Sequence, residues 1–154
     1  GEVGHSYVYC DQQVRCRCGL NNCLETQAAL WALWPEIQLQ YPNAPYDEWG
    51  FENFLNKTPN FDVNILKTAI QKMAVTIRNL SLILAPQHVT LTGPFTQNHA
   101  IFERLCHEFR ALLPPNSNQA AHNQVTLSAS RAGIKDEIIG AAYPLFAMSL
   151  QELQ

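Results

Sequence analysis

Charge is scarce in this sequence. Charged residues make up 15% of it, and 13 acidic residues against 10 Lys and Arg leave a formal net charge of −3. A chain with that balance does not hold nucleic acid by electrostatics on its own. Long apolar runs are also missing. The most apolar stretch, 69–85, is broken by Gln71, Lys72, Arg78, Asn79 and Ser81, whereas a membrane-spanning helix needs about 18 or more consecutive apolar residues. No charged segment followed by an apolar stretch opens the chain, so no secretory leader is expected. We therefore expect a cytoplasmic location with no membrane partner. Glycine is sparse at 7 residues, and no Gly-rich phosphate loop occurs. What remains is a chain of 154 residues, 47% of them hydrophobic. That is enough for one domain, or part of a larger one, and too apolar for a disordered chain.

Cysteine is the residue present in an unusual pattern. Cys10, Cys16, Cys18 and Cys23 fall within 14 residues, and Cys106 lies far away. An odd count is awkward for a pure disulfide scaffold. A bridge between Cys16 and Cys18 would close a small, strained ring. Clustered cysteines without a secretory leader point instead to a metal. Zinc takes four soft or borderline ligands in a tetrahedron, and three thiolates with one imidazole are a common closed set. The C-x-C-x4-C spacing lets Cys16, Cys18 and Cys23 converge from one tight loop, with Gly19 supplying the turn. His5, returning from the preceding segment, would be the fourth ligand, and Cys10 is its rival. Four protein ligands leave no open position, so such a site is structural rather than catalytic. The remaining histidines, His88, His99, His107 and His122, read as surface or packing residues, and Cys106 as a buried apolar group on a helix.

Beyond the first 24 residues the pattern becomes helical. Leu24, Ala28, Leu30, Trp31, Leu33 and Trp34 share a face, with Pro35 placed to kink or close that helix. A short helix is expected near 48–56. After an N-cap at Asp62 a long helix is expected over about 63–84, with Ile65, Leu66, Ala69, Ile70, Met73, Ile77, Leu80 and Leu84 in one stripe. His88 to Thr92 alternates as a strand, a helix follows over about 96–112, Val125 to Ser128 forms a second strand, and a last helix covers about 136–150. This is a helix-rich α/β pattern. Two short strands are too few for a stable sheet. Together with an opening residue that is Gly rather than Met, this leads us to expect a piece of a larger protein.

Gly1-Glu2-Val3-Gly4-His5, followed by Cys16-Arg17-Cys18-Gly19-Leu20-Asn21-Asn22-Cys23-Leu24-Glu25, closely resembles the zinc-and-sugar signature of the ROK family of repressors, uncharacterised reading frames and sugar kinases. Pro86 to Gly93 resembles the family's strand leading to its adenosine-side turn, and Ala132-Gly133 with Ile139-Gly140-Ala141-Ala142 resembles its final helix. The resemblance implies the C-terminal part of a sugar-kinase/actin-like (ribonuclease H-like) lobe with a zinc loop. Its divisions would be a zinc and sugar loop over 1–25, a helical segment over 26–85, and strand-helix-strand-helix over 86–154. It also implies structural zinc on His5, Cys16, Cys18 and Cys23, and sugar hydroxyls held by Glu2, His5 and Glu25. A carboxylate accepts hydrogen bonds from two adjacent hydroxyls. An imidazole can bind metal through one nitrogen and present the other outward.

Two features depart from the family pattern. The gap between His5 and Cys16 holds ten residues, one more than the family's usual spacing, which keeps Cys10 in contention. Pro94 stands where the family has a second glycine, and it removes a backbone N–H from a turn that approaches nucleotide in the family's kinases. ATP is therefore not expected. The resemblance implies the sugar-sensing, dimerising effector portion of a transcriptional regulator of the NagC or Mlc type. Its effector would be a sugar or sugar phosphate, and DNA would be contacted only through a domain outside these residues. The alternatives are the C-terminal lobe of an ATP-dependent sugar kinase, with its phosphate loop and catalytic Asp elsewhere, and a structural zinc module for protein contacts. Trp31, Trp34, Trp49, Phe51 and Phe54 would mark that module's interface, although core burial is the commoner fate of such residues.

Overall fold

The computed structural model describes residues 2–113, 125–130, 136, 138–140 and 142–144. The chain begins with a single 3-10 turn, Val3–His5, and an irregular loop. Five helices and two strands follow: α1 (Glu25–Ala28), α2 (Leu30–Gln40), α3 (Glu48–Lys57), α4 (Lys67–Leu84), β1 (His88–Leu91), α5 (His99–Ala111) and β2 (Thr126–Ala129). Residues 136, 138–140 and 142–144 are helical. The rest of the expected last helix lies outside the described residues, as does Ala132-Gly133.

Local chemistry explains most boundaries. Asp47 caps α3, its carboxylate accepting from the Gly50 N–H at 2.7 Å, and Asn98 caps α5 through the Ile101 N–H at 3.2 Å. Both satisfy donors that a helix start leaves free. Asp62 caps as the sequence suggests, but what it starts is a 3-10 turn, Val63–Leu66, ahead of α4. A second 3-10 turn, Pro94–Gln97, precedes α5. Helix α4 ends at Ala85, whose φ of 46° is left-handed and whose N–H donates to the Ser81 carbonyl at 3.0 Å. Pro86, next in line, could not continue a helix.

Three expectations are corrected. The helix expected to begin at Leu24 is broken at Ala29, which is extended with ψ 149°, so α1 and α2 are separate. Pro35 does not end α2; it sits inside it. Proline at that point costs the helix one hydrogen bond, but Ile37, one turn after Trp34, is fully buried, and that burial holds the helix through the break. The α4 stripe also ends early. Ala69, Ile70, Ala74, Ile77 and Ser81 are buried, while Leu84 is exposed, because the last turn runs past the core.

One apolar cluster joins the helices. Ile37 of α2, Phe51 and Leu55 of α3, Leu66, Ile70, Ala74 and Ile77 around α4, and Ile101, Leu105 and Phe109 of α5 belong to it. Phe51 packs edge-on to Phe95 at 5.4 Å, tying α3 to the turn after β1. Tyr41 stacks on Phe61 at 4.9 Å, and its hydroxyl accepts from the Asp62 N–H at 2.9 Å. β1 and β2 pair in parallel, His88 opposite Thr126 through Leu91 opposite Ala129, so β1, α5 and β2 form one βαβ unit. The five aromatics divide. Phe51 is core, Phe54 and Trp34 pack against it and Trp31 is half-buried, whereas Trp49 is half exposed at 52%.

Candidate metal centre and neighbouring carboxylates

Residues 2–24 hold together by a small antiparallel network rather than by a core. Residues 20–24 run between two outer segments. On one side the Val8 N–H donates to Asn22 O at 2.8 Å and the Leu24 N–H to Ser6 O at 2.9 Å. On the other side the Asn22 N–H donates to Val14 O and the Cys16 N–H to Leu20 O, both at 2.8 Å. Asn22 is the pin of this network. It is buried, its φ of 55° is left-handed, and its side-chain oxygen accepts from the Val14 N–H at 2.8 Å. Asparagine tolerates that backbone better than most residues. Gly19, with φ 92°, closes the turn through its N–H to Cys16 O at 3.0 Å.

This fold of the loop brings His5, Cys16, Cys18 and Cys23 together, with one ligand atom from each inside a 4.8 Å span. The edges have the right size. Zinc–sulfur bonds of about 2.3 Å in a tetrahedron give sulfur–sulfur edges of about 3.8 Å, and slightly less to nitrogen. Cys18 and Cys23 stand 3.6 Å apart and Cys16 Sγ is 3.7 Å from His5 Nδ1. The cysteines are not bonded to one another. The donor set therefore fits a tetrahedral thiophilic cation. Cys10 is elsewhere: its sulfur contacts the Val8 carbonyl at 3.5 Å, and it is not one of the four.

The sulfurs differ in environment. The backbone N–H of Leu20 holds the Cys18 thiol below its ordinary range, and the neighbouring cysteine sulfurs assist. Burial pushes the Cys23 thiol up to about 12, and Cys18 and Cys16 beside it add to the shift. Ionising the Cys23 thiol beside its neighbours thus needs positive charge in their midst, which is what a divalent cation supplies.

The carboxylates meet the same cluster. Glu2 Oε2 lies 2.8 Å from His5 Nε2, so the ring nitrogen facing away from the sulfurs already has a carboxylate partner. Glu25, the first residue of α1, places Oε2 at 3.7 Å from Cys16 Sγ and 4.0 Å from His5 Nδ1. Gly4 makes this approach possible, since a Cβ there would stand 2.9 Å from Glu25 Cγ. Sequence reasoning assigned nothing to Gly4, although its place between Glu2 and His5 was visible. It also missed two tethers. Arg17 lies over the Trp31 ring at 4.4 Å, joining the loop to α2. Lys72 of α4 donates to the Tyr9 carbonyl and lies 5.8 Å from its ring.

The family model for ROK matches residues 1–147. The chain belongs to the ROK family. Among solved structures, this ROK chain is similar to a ROK family transcriptional regulator described as a homologue of the E. coli MLC protein. The two are 22% identical with a TM-score of 0.65, over 92% of this chain and 37% of that one. It is equally similar to the ROK hexokinase from Thermus thermophilus. There the identity is 22% and the TM-score 0.64, over 94% of this chain and 47% of that one. The ROK chain thus spans less than half the length of either neighbour, and the likeness fits a sugar-kinase-like, helix-rich α/β fold. No curated protein sequence matches it. No helix among the described residues is long and apolar enough to cross a membrane.

Proposed function

We propose that this ROK chain is the effector-sensing part of a transcriptional regulator, built around a structural zinc site. His5, Cys16, Cys18 and Cys23 hold the metal, and Glu2, His5 and Glu25 bind the hydroxyls of a sugar or sugar phosphate. The observation that carries this reading is the convergence of four ligand atoms within 4.8 Å, with two carboxylates ranged against the same imidazole. With all four positions filled by protein, the metal's chemistry is to fix the loop. The residues do the binding. Glu2 holds His5 Nε2 before the ligand arrives and yields that nitrogen to a sugar hydroxyl, and Glu25 offers its carboxylate at the start of α1. In this reading residues 1–25 form the zinc and sugar loop, 26–85 a helical segment, and 86–154 the strand-helix-strand-helix portion of a C-terminal lobe.

The regulator reading is favoured over the kinase by Pro94. It is buried at the first position of the turn after β1, where it offers no N–H to a phosphate. The neighbours do not choose, since one is a regulator and the other a hexokinase at nearly the same TM-score. DNA contact and self-association, in this reading, belong to the full-length protein. The test is a titration of full-length protein with hexoses, N-acetylated amino sugars and their phosphates. Binding that Glu25→Ala abolishes, without ATP-dependent turnover, supports the proposal. Phosphorylation of a hexose by the full-length protein would move it to the kinase reading. Zinc without any sugar binding would leave a purely structural zinc module.

A further inference from the structure

The four ligands are unequal in a way that a structural metal site does not require. Cys16 and Cys23 are buried, at 3% and 1% exposure, whereas Cys18 is exposed. Cys16 Sγ is enclosed between His5 Nδ1 and Glu25 Oε2, each at 3.7 Å. Cys18 instead faces Cys23, sulfur to sulfur, at 3.6 Å. The backbone around them also differs. Cys23 is fixed by its antiparallel bridge to Tyr7, and Cys18 sits on the Gly19 turn, where nothing lies within 4 Å of a Cβ position. One cysteine is exposed on a turn with free space beside it, and the other is buried and paired next to it.

We propose that Cys18 and Cys23 are a peroxide-sensitive pair whose oxidation to a disulfide removes two metal ligands and dismantles the Glu2–His5–Glu25 face. This rests on the metal reading given above and adds its regulation. In the first step Cys18 Sγ attacks one oxygen of hydrogen peroxide. A sulfur–oxygen bond forms, the oxygen–oxygen bond breaks, and hydroxide leaves and is protonated to water. The sulfur, oxidised by two electrons, is now a sulfenic acid. In the second step Cys23 Sγ attacks that sulfur. The sulfur–sulfur bond forms, the sulfur–oxygen bond breaks, and a second water leaves. Peroxide is reduced to two waters and the chain loses two hydrogens, the thiolates having already given up theirs when metal is bound.

The geometry permits the bond. The sulfurs must close from 3.6 Å to about 2.05 Å, and the space beside the Gly19 turn leaves room for that movement. Afterwards only His5 and Cys16 remain as ligands, too few to retain zinc at a four-ligand site. His5 then loses its anchor on the metal side, and the carboxylates it aligns lose their common reference. Cys16 is buried between His5 and Glu25, and the two remaining cysteines lie outside the cluster. Cys10 lies against the Val8 carbonyl and Cys106 is buried in α5.

The test treats the full chain with hydrogen peroxide while zinc release is followed with a chromogenic chelator. Disulfides are mapped by peptide mass. The expected result is about one zinc released per Cys18–Cys23 disulfide, with a loss of about 2 Da, reversed by dithiothreitol and added zinc. Cys10→Ser should behave as wild type. Zinc release with Cys18 driven to sulfinic acid and no disulfide would overturn the proposal, as would a disulfide through Cys16 or Cys10. A chain that holds no zinc beforehand would sink the metal reading instead. The same mapping on that metal-free chain would still decide whether Cys18 pairs with Cys23.

Discussion

Gly4→Ala separates the proposed sugar role of Glu25 from the proposed metal centre. The added Cβ would stand 2.9 Å from Glu25 Cγ and 3.3 Å from its Oε1. Carbon–carbon contacts are comfortable from about 3.5 Å, so the Glu25 stem must move by about 0.6 Å or more. It cannot move towards the cluster, because Cys16 Sγ already stands 3.7 Å from Oε2. The carboxylate must tilt outward. Overpacking of this kind costs the fold on the order of 1 kcal/mol, because the clash is with a side chain and Gly4 is not a left-handed position. A hydrogen bond to a charged group contributes about 1.5–3 kcal/mol, and each 1.4 kcal/mol is about tenfold in affinity. Sugar affinity in the full-length protein should therefore fall roughly 10- to 100-fold. Zinc per chain should stay constant, since none of the four ligands is displaced. Isothermal titration beside metal analysis reads both quantities. Unchanged sugar affinity in Gly4→Ala, or zinc lost in proportion to sugar binding, would refute the reasoning.

The remaining predictions concern the fold and the loop. Phe51→Ala should cost about 3–5 kcal/mol, because Phe51 is fully buried and joins α3 to Phe95; denaturant unfolding measures it, and a loss below 1 kcal/mol would place the core elsewhere. Asn22→Gly should keep the left-handed backbone and lose only the bond to the Val14 N–H, whereas Asn22→Ala loses both. Zinc affinity should fall in the order wild type, Gly, Ala, and equal losses would remove the backbone argument. Burial raises the Cys106 thiol above its ordinary 9.0, so the unfolded chain ionises first. The stability this contributes is fully present below pH 9 and is lost as pH rises through and beyond it. Melting temperature should therefore drop more steeply between about pH 8 and 10.5 in wild type than in Cys106→Ala, and parallel curves would count against a buried, protonated Cys106.

Much of the fold was legible because apolar spacing and caps are local signals. The stripe from Ile65 to Ile77, the alternation at His88 to Leu91, and the cap at Asp62 all sit where the residues indicate. The misses came where tertiary packing overrides local preference. Pro35 reads as a kink or an end of the helix, and only the second is excluded: α2 runs through it, with Ile37 buried beyond. The break at Ala29 has no punctuating Gly or Pro to announce it. In the site, the C-x-C-x4-C spacing was enough to bring three sulfurs together, because so short a loop has few ways to fold. Whether His5 or Cys10 stood fourth was not legible, since it depends on pairing between residues 6–8 and 22–24, and that pairing turns Cys10 towards the Val8 carbonyl. The closeness of Gly4 to Glu25 is likewise a contact between elements, and no local pattern encodes it.

The central claim is that His5, Cys16, Cys18 and Cys23 are one metal site. The most direct test is zinc content of chain purified without chelator or metal-affinity resin, in wild type, Cys10→Ser, His5→Ala and Cys23→Ser. About one zinc in wild type and in Cys10→Ser, with loss in the other two, is the predicted result. No zinc in wild type, or a site that survives His5→Ala and fails in Cys10→Ser, would contradict it.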